Sequence, residues 1–192
     1  AVVPWSYPLA LAIWKLAPTL AVGNSVVLKP AEQSPFSALR LAELALEAGM
    51  PAGVFNVVTG KGSVVGNALA ASPKIGIVSV TGSVSAGQSI MKAAADNITK
   101  VSLELGGKAP AIVFPDADLE TAAQWIVDSR IGNNGQICNN AERVYVHKDI
   151  KKEFTDILLK KMQAVKVGDP CVDESVDMGP LVEKRALDSV TE

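Results

Sequence analysis

The sequence has 192 residues, 48% of them hydrophobic and 20% charged, the proportions of soluble globular material with enough chain for one sizeable core or parts of two. A formal net charge of −2 leaves no basic patch for nucleic acid, and two cysteines, Cys138 and Cys171, do not make a disulfide framework, so a reducing cytoplasmic setting is expected. The single histidine, His147, excludes a His-rich metal site and argues against a Cys-His or Ser-His dyad, so no metal is expected.

In chain order, Pro4-Trp5-Ser6-Tyr7-Pro8 reads as a rigid aromatic turn, because each proline holds the residue before it extended. Pro8 to Val22 is largely apolar, but Lys15 and Pro18 interrupt it and it falls short of the roughly 20 residues of a membrane span. It is predicted as a buried helix, with no membrane partner. Ser25 to Lys29 is a short strand stopped by Pro30. Ser34 is the expected N-cap of a helix with Pro35 at its first position, carrying Leu39, Ala42 and Leu46 on one face and ending at Gly49. Val54–Val58 is a second strand, followed by a helix over about Ser63–Ala71. Ile75–Val80 is a third strand, Ser85–Asn97 a helix and Lys100–Leu105 a fourth strand. Ala111–Phe114 and Arg143–His147 are further strands. They flank a helix over Asp118–Ile131, and an amphipathic helix over Lys151–Val165 follows, with Phe154, Ile157, Leu158, Met162 and Val165 on one side. Gly168–Pro180 is a Gly-, Pro- and Asp-rich loop. Short strands alternating with longer helices predict an α/β fold with a parallel, doubly wound sheet. The sequence starts at Ala1 without an initiator methionine or a signal peptide, and Lys184–Glu192 reads as a helix without a stop signal, so a partial segment is expected.

Three groups of residues carry chemistry. Glu104 ends a β-branched run just before Gly106-Gly107, and Cys138 sits in the polar loop NNGQICNNAER. A thiol that can attack a carbonyl and a carboxylate that can activate water are the parts of a covalent acyl-enzyme mechanism. The pair reads equally as a small hydrophobe and an ion-pair partner when taken alone. Two glycine-bearing turns, Gly60-Lys61-Gly62-Ser63-Val64-Val65-Gly66 and Gly82-Ser83-Val84-Ser85-Ala86-Gly87, can present backbone N–H groups at a helix start to a pyrophosphate, or serve as tight turns only. Lys29 and Glu32, just beyond a strand, can hydrogen-bond vicinal ribose hydroxyls, the carboxylate repelling a 2′-phosphate, or form a solvated pair. A domain boundary at Gly106-Gly107 would put Glu104 and Cys138 on opposite sides of an inter-domain cleft.

The segments LELGGK, GQIC, TGSVSAG, NITKVSLELGGKAPAIV, IVDSR and NNGQICNNAERVYV resemble the aldehyde dehydrogenase superfamily, from Pro4-Trp5 through Gly179-Pro180-Leu181. Within it they look most like the bacterial group that oxidises small 2-hydroxyaldehydes such as lactaldehyde and glycolaldehyde. The resemblance implies a Rossmann-like cofactor domain, here partial over residues 1–106, running into part of a catalytic α/β domain over 107–192. It implies Cys138 as nucleophile and Glu104 as general base. It also implies a cofactor-lining set of Pro4, Trp5, Lys29, Glu32, Gly62, Gly66, Thr81, Gly82, Ser83, Leu105 and Gly106, with NAD in preference to NADP. The oxyanion donors are implied to be the Cys138 N–H and the asparagine of the family's PWN motif, a position that is Ser6 here. The full-length protein is implied to be a homo-oligomer acting on a small aldehyde. Two readings stand: an NAD-dependent aldehyde dehydrogenase represented by its central segment, and a non-catalytic nucleotide-binding or assembly remnant of the same fold.

Overall fold

Within each half of the chain, strands three to six residues long are separated by helices, so they pair in parallel through helical crossovers. The computed structural model describes residues 1–191; Glu192, expected as the last helical residue, lies outside them. The chain divides into two compact units, Ala1–Gly106 and Gly107–Glu192.

The first unit runs α1 (Pro8–Ala21), β1 (Val26–Leu28), α2 (Phe36–Glu47), β2 (Phe55–Val57), a wide π-turn over Gly62–Gly66 leading into α3 (Asn67–Ala70), β3 (Ile77–Gly82), α4 (Val84–Ala95) and β4 (Lys100–Leu105). Strand β1 pairs in parallel with β2, and β3 with β4, in the register Thr81 to Glu104. The extended residues Ala1–Val3 join the two pairs: Val2 bridges in parallel to both Lys29 and Val80. Its N–H donates to the Ser79 carbonyl at 2.8 Å and its carbonyl accepts from Thr81 N–H at 3.0 Å. The lateral order is therefore β2, β1, Ala1–Val3, β3, β4. Adjacent residues of a strand face opposite ways. Val3 accordingly packs with Leu11, Leu16, Leu28 and Phe55 beneath α1 and α2, while Val2 packs with Val78, Val80, Ile90 and Ala94 beneath α3 and α4. Helices cover both faces, as the alternation predicts.

Several expectations are corrected. β3 begins at Ile77, two residues later than predicted, and continues to Gly82, so Thr81-Gly82 belongs to the strand and α4 starts at Val84. α1 is buried only along Leu11, Ala12 and Leu16, with Trp14 72% exposed, so it is a one-sided helix that tolerates Pro18. The Ser34 hydroxyl is buried without a hydrogen-bond partner and does not cap α2, which starts at Phe36. The buried side of α2 is Ala38, Leu41, Ala42 and Ala45, whereas Leu39 and Leu46 lie on the neighbouring, exposed stripe.

The second unit contains β5 (Pro110–Val113), α5 (Leu119–Ile131), β6 (Arg143–Val146), α6 (Lys151–Gln163) and α7 (Lys184–Thr191). β5 and β6 pair in parallel. Val113, Ala123 and Phe154 form the core, with Val144, Val146, Ile157 and Leu158 packed around them. Asp118 caps α5 by accepting from Thr121 N–H at 3.1 Å, which holds its carboxyl below the usual carboxylate range. α6 stops at Gln163, so Met162 is exposed and Val165 lies beyond the helix, unlike the predicted apolar face. The loop over Gly168–Pro180 is closed at its base by the bridge between Val167 and Met178.

Phe154 is wholly buried among both helices and both strands. Phe154→Ala is expected to lower the unfolding free energy of this unit by about 3–5 kcal/mol, checked by urea denaturation.

Candidate active site

In a doubly wound sheet, ligand groups collect beyond the carboxyl ends of the strands. β1 ends at Leu28, β3 at Gly82 and β4 at Leu105, so Lys29, Glu32, Ser83 and Gly106 all follow such ends. Lys29 is only 3% exposed, and desolvation lowers its pKa below the ordinary 10.5 while the charge of Glu32 acts in the opposite direction. A Glu32 carboxylate oxygen accepts from the Gly62 N–H at 3.0 Å, fixing the first residue of the π-turn beside the β1 exit. A Cβ on Gly62 would stand 3.9 Å from Lys29 Nζ, so these three residues share one cradle.

At the β3 exit, Thr81 is 6% exposed and its hydroxyl is buried without a hydrogen-bond partner. Ser83 caps α4, its hydroxyl oxygen accepting from Ala86 N–H at 3.2 Å. Gly87 and Gly66 serve packing instead. A Cβ on Gly87 would lie 2.8 Å from Leu105 Cδ2, and one on buried Gly66 would meet Ile90 Cδ1 at 3.6 Å. Leu105 thus seats β4 against α4, and Gly106 follows it with open space around its backbone.

Pro4, Trp5 and Ser6 are half-buried in the bend before α1. Glu104 is exposed near the end of β4. On the same side of the sheet, Lys15 of α1 donates to the Ser79 hydroxyl at 2.8 Å. Desolvation lowers the Lys15 pKa, opposed by the charge of Glu104. Sequence reading treated Lys15 as an interruption. The available signal was its place four residues after Leu11, on the buried stripe of α1.

In the second unit, Cys138 is exposed within a turn closed by Asn140 N–H donating to the Ile137 carbonyl at 3.3 Å. The turn follows three consecutive left-handed residues, Asn133 (φ 48°), Asn134 (φ 58°) and Gly135 (φ 77°), which reverse the chain after α5. Asparagine is among the few side chains that tolerate this region. Asn134 donates to the Pro180 carbonyl and accepts from Gly179 N–H at 3.1 Å, while Gln136 accepts from Val182 N–H at 3.1 Å. Asn140 is 4% exposed and its amide donates to the Gly132 carbonyl at 3.2 Å and the Arg130 carbonyl at 3.5 Å. Nothing in the sequence distinguishes this residue from Asn139. His147 and Cys171 have local roles: His147 Nδ1 accepts from Asp149 N–H at 3.3 Å, and Cys171, which is exposed, donates its N–H to Asp169 at 2.9 Å.

A buried orphan hydroxyl at Thr81, a carboxylate at Glu32 held by the Gly62 N–H and a desolvated ammonium at Lys29 fit a dinucleotide with its ribose at β1 and its phosphates at β3. Among the described residues no cluster of His, Cys, Asp or Glu could hold a metal ion, and no helix is long and apolar enough to cross a membrane.

The fold is that of an α/β protein with parallel strand pairing. The chain belongs to the aldehyde dehydrogenase family, whose sequence profile matches residues 1–192. It is 53% identical over 189 residues to lactaldehyde dehydrogenase of Escherichia coli K12, covering 98% of this chain and 40% of that protein. The crystal structure of lactaldehyde dehydrogenase from Escherichia coli superposes with a TM-score of 0.94 over the same shares of the two chains. An NADP-dependent Escherichia coli enzyme matches with a TM-score of 0.92 and 47% identity, covering 98% of this chain and 39% of its own. An indole-3-acetaldehyde dehydrogenase complexed with NAD+ matches with a TM-score of 0.93 and 43% identity, covering 98% of this chain and 38% of its own. The chain thus spans about two-fifths of the length of its relatives.

A base with a lowered folded pKa binds fewer protons folded than unfolded, so the stability cost of burying Lys29 is present at neutral pH and fades as pH rises toward 10.5. Lys29→Met is therefore expected to raise the urea midpoint at pH 7, with a gain that shrinks as the pH increases toward 10. A loss of stability at pH 7 would contradict the desolvation argument.

Proposed function

We propose that the protein carrying this chain is an NAD-dependent aldehyde dehydrogenase that oxidises a small 2-hydroxyaldehyde to its carboxylate. The observation that carries this reading is Cys138, an exposed thiol in a turn whose backbone is tied to the end of α5. The family membership and the 53% identity to a lactaldehyde dehydrogenase support the substrate class. Glu32 supports NAD, because its carboxylate, held by Gly62 N–H, would face a 2′-phosphate with like charge.

Cys138, as thiolate, forms a C–S bond to the aldehyde carbon, and the charge passes to the carbonyl oxygen. By resemblance to the family, that oxyanion would take its hydrogen bonds from the Cys138 N–H and from a donor at the position of Ser6. NAD+, held at Lys29, Glu32 and the α4 N-terminus, would supply the acceptor for the hydride that leaves the substrate carbon. Glu104 then removes a proton from water, whose oxygen attacks the thioester carbonyl. The C–S bond breaks and the thiolate is restored, while the acid product leaves as carboxylate and its proton and the one held by Glu104 pass to solvent. Lys29 and Glu32 orient the ribose, and the α4 N-terminus at Ser83 receives the phosphates; the Ser83 hydroxyl caps the helix and shares a hydrogen bond with the Ser85 hydroxyl at 2.9 Å.

In the full-length protein, NADH formation from glycolaldehyde followed by absorbance is expected to vanish in Cys138→Ala. Turnover retained by that variant would sink the reading. Glu32→Gln is expected to improve the ratio of NADP to NAD efficiency; an unchanged ratio would remove Glu32 as the selector.

The non-catalytic reading rests on Ser6, whose hydroxyl is shorter than the carboxamide it replaces. If Ser6 is a deficient donor, Ser6→Asn should raise kcat by up to about 10²-fold, the scale of one oxyanion donor. An equal or lower rate would make Ser6 a sufficient donor.

A further inference from the structure

The two asparagines after Cys138 are adjacent in sequence and opposite in environment: Asn139 is exposed, whereas Asn140 is 4% exposed. A buried carboxamide is retained only where its donors and acceptors are satisfied. Asn140 directs its NH2 group at two carbonyls, those of Arg130 and Gly132, at the C-terminal end of α5. The last carbonyls of a helix have no partner within it, and α5 runs on into a single 3-10 turn over Gly132–Gly135 that holds the left-handed run Asn133–Gly135. Asn140 therefore caps α5 from a point farther along the chain. Its own N–H closes the turn containing Cys138, so the residue that caps the helix also ends that turn. The neighbouring Ala141 N–H donates to the Ser129 hydroxyl at 3.0 Å, a second tie between the same two segments.

We propose that Asn140 is a positioning residue for the Cys138 thiol: its carboxamide transmits the fixed position of α5 to the reactive turn. This rests on the reading of Cys138 as the nucleophile. Without the two side-chain bonds the turn keeps its sequence and its closing backbone bond, but loses its registry to the helix. A misplacement on the order of 1 Å at a nucleophile costs about 10²-fold in rate. The side chain itself touches no reacting atom, so the effect falls on kcat.

The test compares Asn140→Ala and the equal-sized Asn140→Asp, which has no donors, with the full-length parent protein. Three measurements apply: steady-state glycolaldehyde oxidation, hydrogen exchange of the residue 136–141 amides, and iodoacetamide labelling of Cys138 against Cys171 in the same molecules. Both variants are expected to lower kcat by about 10- to 100-fold with KM little changed. They should also speed exchange across residues 136–141 by about tenfold or more, the scale of two lost hydrogen bonds, and alter the Cys138 labelling rate while Cys171 stays constant. Unchanged kcat in a folded variant overturns the proposal. So does faster exchange spread through α5, α6 and β6 alike, which would mean general destabilisation; should Asn140→Ala fail to fold, Asn140→Asp carries the same comparison. Cys138→Ala run in parallel separates the two claims: retained turnover there defeats the nucleophile reading, whereas the exchange measurement still reports whether Asn140 holds the turn.

Discussion

The arrangement of the first unit depends on the parallel register at Val2. By bridging to Lys29 on one side and Val80 on the other, this residue brings the carboxyl ends of β1 and β3 to one level and merges two strand pairs into one layer. A parallel ladder has no freedom to slip by one residue here, because a slip would turn Val2 and Val3 to the wrong faces and expose both clusters. The cradle of Lys29, Glu32 and Gly62, the Ser83 cap and the exit of β4 follow from that alignment.

Two further constraints refine it. Gly87 lets α4 approach β4 so closely that a methyl group would collide with Leu105, which sets where the α4 N-terminus points. Polar groups are then buried where a packed protein would ordinarily avoid them: a lysine at β1, a threonine hydroxyl at β3 and a lysine on the inward side of α1. Each lowers stability in the absence of a ligand, the pattern expected where a site is prepared for binding and stability is given up locally.

The second unit solves a different problem. Its turn at Cys138 follows the end of a helix and three left-handed residues, and is not organised by a sheet edge. Such a segment needs outside fixation. Asn140 and Ser129 supply it from the side of α5, and Gly179, Pro180 and Val182 supply it through Asn134 and Gln136. The Gly- and Pro-rich loop, which reads as a plain connection, thereby leads into a support for the loop that carries Cys138.

The alternation of β-branched runs with helices determined the α/β class and the parallel pairing, because both depend on local periodicity and on connection length. The candidate chemistry at Lys29, Glu32, Glu104 and Cys138 was legible because LKPAEQ, LELGGK and GQIC are contiguous words. The start of β3, the buried stripe of α2 and the failure of Ser34 to cap were misread, since each depends on which face meets the sheet and local propensity does not encode that. Tertiary structure alone decided that Glu32 reaches Gly62, that Lys15 faces the sheet beside Glu104, that Gly66 and Gly87 pack, and that Asn140 and not Asn139 is buried. These are contacts between residues separated along the chain or distinguished only by direction. Their energy comes from burial and hydrogen-bond geometry, which exist only once the chain has closed on itself.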